Sequence, residues 1–223
     1  NDLGIVYGMV RDHDRAVQCY SEAIRIKTIR LGGNHEEIAD LHFNLGMVYN
    51  KSRKYEKAYD SYLEALRGMK AIHGEQHEDV ARVQHHLGIL SNDMGRRTLA
   101  MTYYEDSLKV RVKILGPEHV EVARTMYNLG LVYQENGDYK RALECLTGAL
   151  KVTKHHLGNA HEKVADTQHS IGLVYQKLGK FEESLQTYEE ALSIRRAKLG
   201  QEHTSTATTL HNMGDVYYMV GEL

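Results

Sequence analysis

Apolar positions along the chain follow two alternating helical patterns. In EDVARVQHHLGILSND, residues 78–93, and its counterparts, small and apolar residues recur at spacings of three and four, as an amphipathic helix requires. In KYEKAYDSYLEALRGMK, residues 54–70, Tyr55, Ala58, Tyr59, Tyr62, Leu63 and Leu66 fall on one side of a second helix. Polar stretches such as NKSRK, QENGD and QKLGK separate the first helix from the second. Gly32, Gly74, Gly116, Gly158 and Gly200 follow the second helix, where a residue free to adopt positive φ can close its C-terminus. The one proline, Pro117, sits in such a connection and interrupts no helix.

These patterns repeat. The stretch LGPEHVEVARTMYNLGLVY at 115–133 has copies throughout the chain. His35, His77, His119, His161 and His203 stand 42 residues apart without an insertion. Ala39, Ala81, Ala123, Ala165 and Ala207 keep the same spacing, as do Gly4, Gly46, Gly88, Gly130, Gly172 and Gly214. A fixed period of this length is the signature of a solenoid. The units run 1–34 (partial), 35–76, 77–118, 119–160, 161–202 and 203–223 (partial). The expected organisation is a single array across 1–223, a piece of a longer chain because Asn1 falls within a repeat.

Leu45-Gly46-x-x-Tyr49, then Ala58-x-x-x-Tyr62 and Ala65-Leu66, resembles the tetratricopeptide repeat. The same set reads Leu3, Gly4, Tyr7, Ala16, Tyr20, Ala23 in the first unit and Leu129, Gly130, Tyr133, Ala142, Leu146, Ala149 in the fourth. The fifth has Ile171, Gly172, Tyr175, Ser184, Tyr188 and Ala191. The usual unit has about 34 residues. A 42-residue unit with a histidine and Val-Ala ahead of Asn-Leu-Gly is similar to the subclass found in kinesin light chains. It departs from them at Gly46, Gly130 and Gly172, where they favour Ala, and after the histidine, where they favour Pro. The resemblance implies an all-α fold, a right-handed superhelical solenoid of antiparallel helix pairs. Gly46, Ala58 and Ala65 would let the paired helices approach closely, with Tyr49 and Tyr62 filling the space beside them.

Chemistry changes this picture little. With 28 basic and 30 acidic residues, the chain has no electrostatic footprint for nucleic acid or an anionic membrane. The densest basic cluster, Arg195, Arg196 and Lys198, is too small to alter that. No run is long enough to span a bilayer. Cys19 and Cys145 lie three repeat lengths apart and are expected to be reduced, which fits a cytoplasmic setting. There is no G-x-S-x-G turn, P-loop or C-x-x-C, so neither an enzyme nor a cofactor is expected. The recurring histidine, one per connection, is expected to fix the loop entering each first helix. His85-His86 and His155-His156 should diverge on their helices, and Gly74 interrupts any helical pairing of His73 with His77. No metal site is therefore expected.

The remaining face of the first helices should line the inner wall of the superhelix. Two residues before the central glycine stand Asn44, Asn128 and Asn212, and the resemblance implies that asparagines here hold a peptide main chain. His86 and Ser170 break that series. Three before the glycine come Phe43, His85, Tyr127, His169 and His211, with Asn1 and Asp2 opening the two rows. Arg82 and Arg124 add positive charge, and Asn50, Asn92, Gln134 and Gln176 continue a polar row. Amide side chains carry donors and acceptors together, which suits an extended peptide. The residue after the glycine is Met47, Ile89, Leu131 or Leu173, which disfavours a two-carboxylate clamp. The sequence therefore points to a protein–protein interaction scaffold or adaptor that binds an extended peptide with apolar or aromatic and acidic residues. The alternative is a structural subunit that makes contacts through its convex face and array ends. In the third unit, Ser91, Arg97 and Ser107 replace the Tyr, aromatic and Ala seen elsewhere, so this unit is expected to be the weakest joint.

Overall fold

The computed structural model describes residues 12–221; the positions read above at Asn1, Asp2, Leu3, Gly4 and Tyr7 lie outside them. The described residues form ten helices and no strand. Second helices of the repeats are α1 (His13–Leu31), α3 (Tyr55–His73), α5 (Arg97–Leu115), α7 (Tyr139–Leu157) and α9 (Phe181–Leu199), each 19 residues long. First helices are α2 (Glu36–Lys51), α4 (Glu78–Asp93), α6 (Val120–Glu135) and α8 (Glu162–Lys177), each 16 residues, and α10 (Thr204–Gly221). The chain divides into two compact units, Asn1–Ile114 and Leu115–Leu223.

Each first helix begins on the repeated histidine. Nδ1 of His35, His77, His119, His161 and His203 accepts the backbone N–H two residues on, at 3.3, 3.3, 3.1, 3.1 and 3.1 Å. An imidazole here acts as a Ser or Asn cap does, satisfying a donor that has no partner inside the helix. The bond requires a lone pair on Nδ1, so the ring proton sits on Nε2. The histidine carbonyl then accepts the N–H of the repeated alanine, from Ala39 at 3.3 Å to Ala207 at 3.1 Å. The expected loop-fixing role is thus a helix cap, made five times.

First helices end in a two-bond reversal. In unit 1, Arg53 N–H donates to Asn50 O and Lys54 N–H to Tyr49 O, both at 2.9 Å. Gly95, Gly137 and Gly179 occupy the same slot in the later repeats, with φ between 71° and 81°. Arg53 is the non-glycine version, held at φ 56°, where a Cβ is strained. Second helices close on Gly32, Gly74, Gly158 and Gly200, with φ from 78° to 93° and ψ from 161° to 177°. Essentially only glycine visits that region, so the expected positive φ is present and more demanding than an ordinary left-handed cap.

Close helix approach makes each pair. A Cβ built on Gly46 would lie 2.6 Å from the Tyr62 ring, on Gly88 2.8 Å from Tyr104, on Gly130 2.8 Å from Leu146, and on Gly172 2.6 Å from Tyr188. Ala58, Ala65, Ala100, Ala142, Ala149 and Ala191 are buried on the facing helices. In unit 1 the core joins Phe43, Tyr62, Met69, Val80, Val83 and Leu87 in one cluster, and Tyr20, Leu41, Leu45 and Val48 in another. In unit 2, Tyr188, Leu192, Met213 and Val216 pack together, as do Ala123, Ala149 and Val152. The irregular third repeat keeps two of its three substitutions inside: Ser91 and Ser107 are fully buried, and Ser107 Oγ donates to Ala81 O at 2.7 Å, while Arg97 is exposed. Ser91 Oγ has no such partner. Cys19 and Cys145 form no disulfide.

Gly172→Ala is expected to cost about 1–3 kcal/mol, because its methyl must displace the Tyr188 ring. Gly214→Ala, with nothing within 4 Å of its Cβ, should be neutral or slightly stabilising through helix propensity. Chemical unfolding of the two variants checks the contrast; equal effects would refute the close-approach account. Arg53→Gly should stabilise unit 1 by about 1 kcal/mol by removing the strained Cβ, and its unfolding midpoint is the test.

Candidate functional site

The first-helix stripe is built in each unit from helices held by the caps and glycine contacts above. In unit 1, Asn44, Asn50 and Asn92 are half-buried. Asn92 Oδ1 is buried and has no hydrogen-bond partner. Arg82 lies with its guanidinium 4.4 Å from the Phe43 ring centre, and donates to Asp79 Oδ1 at 2.8 Å and Asp40 Oδ1 at 3.3 Å. Its charge is therefore shared between two carboxylates of the same face.

Two expected groove residues are corrected. Phe43 is 4% exposed and His85 1% exposed, so neither offers surface to a peptide. Phe43 packs against Tyr62 with ring centres 5.6 Å apart, while His86 of the next repeat meets it edge-on at 4.9 Å. His85 packs on Tyr104 at 5.4 Å. At Phe43, the position three before the glycine is covered because the neighbouring repeat lies over it. His211 shows the converse: on α10, which no described helix follows, its side chain is 76% exposed and stands 3.7 Å from Asp215.

In unit 2, Tyr127, Asn128, Gln134, His169, Gln176 and Asn212 are half-buried and Arg124 is exposed beside Glu121, with which it pairs. Gln134 Oε1 is buried without a partner, at the repeat position of Asn92. Gln176 Oε1 accepts the Tyr188 hydroxyl at 3.1 Å. Two residues of the stripe come together directly: Asn212 Nδ2 and His169 Nε2 lie 3.2 Å apart. Burial pushes the His169 imidazole down to about 4, helped by the Arg195 guanidinium and opposed by Asp166. Burial likewise raises the Tyr127 phenol, against a hydrogen bond with Ser170.

Arg195 reads in the sequence only as part of a basic surface cluster, yet it is buried. It donates to Asp166 Oδ1 at 2.8 Å, Ser205 O at 3.0 Å and Thr209 Oγ1 at 2.6 Å, tying α8, α9 and α10 together. Arg111, at the same repeat position in α5, is 1% exposed and reaches Glu78 Oε1 at 3.0 Å. The signal that could have found both is the slot itself, which reads Lys27, Met69, Arg111, Thr153, Arg195 along the chain. Such buried pairs fix neighbouring helices while contributing little net stability.

A second correction concerns His73 and His77. Gly74 does not separate them: its reversal stacks their rings, with centres 4.1 Å apart and planes 13° from parallel. Together with Asp79 they offer three donor atoms mutually within 4.8 Å. His85-His86 and His155-His156, expected to diverge, meet edge-on instead, with ring centres 5.9 and 5.2 Å apart and interplanar angles of 80° and 83°.

Paired helices in a 42-residue register, capped by one histidine each, define a helical-repeat protein whose exposed first-helix face is its candidate interface. Sequence comparison makes the class specific: the chain belongs to the tetratricopeptide repeat family, whose model matches residues 1–70, 37–111, 79–155 and 163–223. Among solved structures, BtubC (BKLC) from P. vanneervenii superposes with a TM-score of 0.77 at 23% identity, covering 95% of this chain and 83% of that one. A putative kinesin light chain of Podosopora anserina with nearly identical TPR-like repeats gives 0.76 at 20% identity, covering 88% and 93%. YrrB, described as a TPR protein with an unusual peptide-binding site, gives 0.63 at 18% identity, covering 94% and 87%. At these identities the likeness is one of fold. None of the curated proteins matches the chain in sequence. No described helix is long and apolar enough to cross a membrane.

The neutral His169 ring makes stability depend on pH. Between the usual imidazole value of 6.5 and about 4, the unfolded chain carries a proton on this ring that the folded chain does not. Stability is thus lost as pH falls through that window. Urea unfolding at pH 6.5 and pH 4 should show a smaller loss for His169→Gln than for the parent chain. Equal losses would remove His169 from the account.

Proposed function

We propose that this chain is a protein–protein interaction scaffold whose first-helix stripe binds an extended peptide. The observation that carries the reading is the recurrence of a buried, unpartnered amide oxygen, Asn92 Oδ1 in unit 1 and Gln134 Oε1 in unit 2. Both stand at the same repeat position, one turn beyond the central glycine. Their backbone neighbours are already used: the Asn92 and Gln134 carbonyls accept from Gly95 and Gly137 N–H at 2.8 and 3.1 Å. The side-chain oxygens are left as acceptors without a partner, which is costly. Because both residues are half-buried, a turn about their broad terminal torsions would bring those oxygens out to a ligand. An extended main chain presents N–H donors in regular alternation and would satisfy such an acceptor in either unit. Asn128, two before its glycine, stands on the same helix as Gln134, and Asn44 holds the equivalent place on α2. Tyr127 supplies apolar surface on α6. The peptide-binding site described for YrrB agrees with a role of this kind.

An acidic residue in the peptide would have to compete for Arg82 with Asp79 and Asp40, and for Arg124 with Glu121. Acidic preference is accordingly a smaller part of recognition than main-chain capture and apolar anchoring. A second reading, the structural subunit, draws on apolar surface elsewhere. Ile26, Ile29 and Leu31 are exposed on α1, and Leu210, Tyr217, Met219 and Val220 on α10.

Screening a peptide library against the chain tests the first reading, with Asn92→Ala/Gln134→Ala beside it. Loss of these acceptors should weaken a captured peptide about tenfold or more, with helicity unchanged. Binders indifferent to the double variant, or no binders at all, would move the interface to the apolar surfaces of α1 and α10.

A further inference from the structure

His73 breaks its own repeat. The corresponding positions, Leu31, Leu115, Leu157 and Leu199, are all leucine, and this one alone is an imidazole. It lies in the last turn of α3, its side chain 19% exposed, with Nε2 buried and without a hydrogen-bond partner. Glu36 Oε1 approaches that nitrogen to 3.6 Å, beyond hydrogen-bond range. The leucines at this place are exposed or half-buried and carry no polar atom to satisfy. A histidine whose buried nitrogen makes no hydrogen bond requires another explanation.

The surroundings supply one. His77 Nδ1 and Asp79 Oδ2 lie 3.2 Å apart, and one donor atom from each of His73, His77 and Asp79 falls within 4.8 Å of the others. Zinc binds imidazole nitrogen and carboxylate oxygen at about 2.0–2.2 Å, so donors on a tetrahedral ion stand about 3.3 Å apart. The His77–Asp79 pair already has that separation. A small fanning of the two stacked rings would bring the His73 nitrogen to the same point. Asp79 is oriented to act as a ligand, because Arg82 holds Oδ1 at 2.8 Å and leaves Oδ2 turned towards His77. A hydrogen-bonded carboxylate of this kind is the usual support for a ligand set.

We propose that His73, His77 and Asp79 form a binding site for a divalent transition-metal ion, with zinc the best chemical match. Mixed imidazole and carboxylate donors suit zinc over calcium or magnesium, which take oxygen ligands. The fourth position belongs to water or to the nearby Glu36 carboxylate. Local fields nearly cancel, since the ion sits between the negative C-terminal end of α3 and the positive N-terminal end of α4. Binding through His77 Nδ1 costs the cap that this nitrogen gives Asp79 N–H, and three metal bonds replace it. The site joins the end of one repeat to the start of the next within unit 1. Metal occupancy would therefore stiffen that connection. Elsewhere the set is incomplete: the fourth repeat offers Leu115, His119 and Glu121, and the fifth Leu157, His161 and Lys163.

Titration of the untagged chain with zinc chloride by calorimetry, and with cobalt(II) by visible absorption, tests the proposal. The expected result is one ion per chain, with tetrahedral cobalt bands. Affinity should fall at least tenfold in His73→Leu and in Asp79→Asn. His73→Leu restores the residue that the other repeats carry, so its fold should persist, as circular dichroism would verify. His155→Gln/His156→Gln, a surface pair elsewhere, should bind as the parent does. Zinc should also raise the thermal midpoint of the parent and not of His73→Leu. Absence of saturable one-site binding, or equal affinity in His73→Leu, would overturn the site.

Discussion

The structure depends on one contact made repeatedly: the backbone of a central glycine lying against the ring or branched side chain of the paired helix. At Gly46, Gly88 and Gly172 the partner is a tyrosine, and at Gly130 it is Leu146. Without a Cβ, the first helix approaches its partner closely enough for the flanking alanines to bury completely. That distance sets the packing of Tyr62, Tyr104 and Tyr188, all of them buried. Phe43 is covered by His86, which meets its ring edge-on. Larger residues at the glycines would displace the tyrosine or leucine packed against each of them. A repeat protein is a sum of such local interfaces, and here one local interface sets the others.

Helix ends are governed as tightly as helix faces. A histidine opens each described first helix, a reversed turn closes α2, α4, α6 and α8, and a glycine in a conformation reserved to it closes α1, α3, α7 and α9. Fixed ends keep the period at 42 residues, which is what places Asn92 and Gln134 at one repeat position. The candidate interface is thus a consequence of the capping: the reversed turn consumes backbone groups and leaves side-chain amides over.

Much of this is legible in the sequence because it repeats. The histidine, the glycines and the alanines recur at one spacing, so their structural roles can be read five times over. The candidate stripe is only partly legible. Counting residues around one helix distinguishes the side facing its own partner from the rest, but says nothing of what covers the rest. By that count Phe43 and His85 belong in the open, whereas packing buries them both. Arg195 looks like part of a charged surface because neighbours in sequence, Arg196 and Lys198, are charged as well. Its burial follows from the slot it shares with Met69 and Arg111.

His73 and His77 show the same limit from the other side. Spacing along a helix is a safe guide only while the helix continues, and it ends at Gly74 with φ 78° and ψ 177°. That reversal turns two residues that would otherwise belong to different helices into stacked neighbours. The reversal is common to the repeats, so the backbone at every connection can bring the residue before the glycine towards the capping histidine. In the other repeats that residue is leucine, which offers no donor atom. One substitution in an otherwise regular slot converts a packing position into a donor atom facing two others. In an array of near-identical units, new chemistry therefore arises most economically where a single residue departs from the repeat while the backbone around it does not.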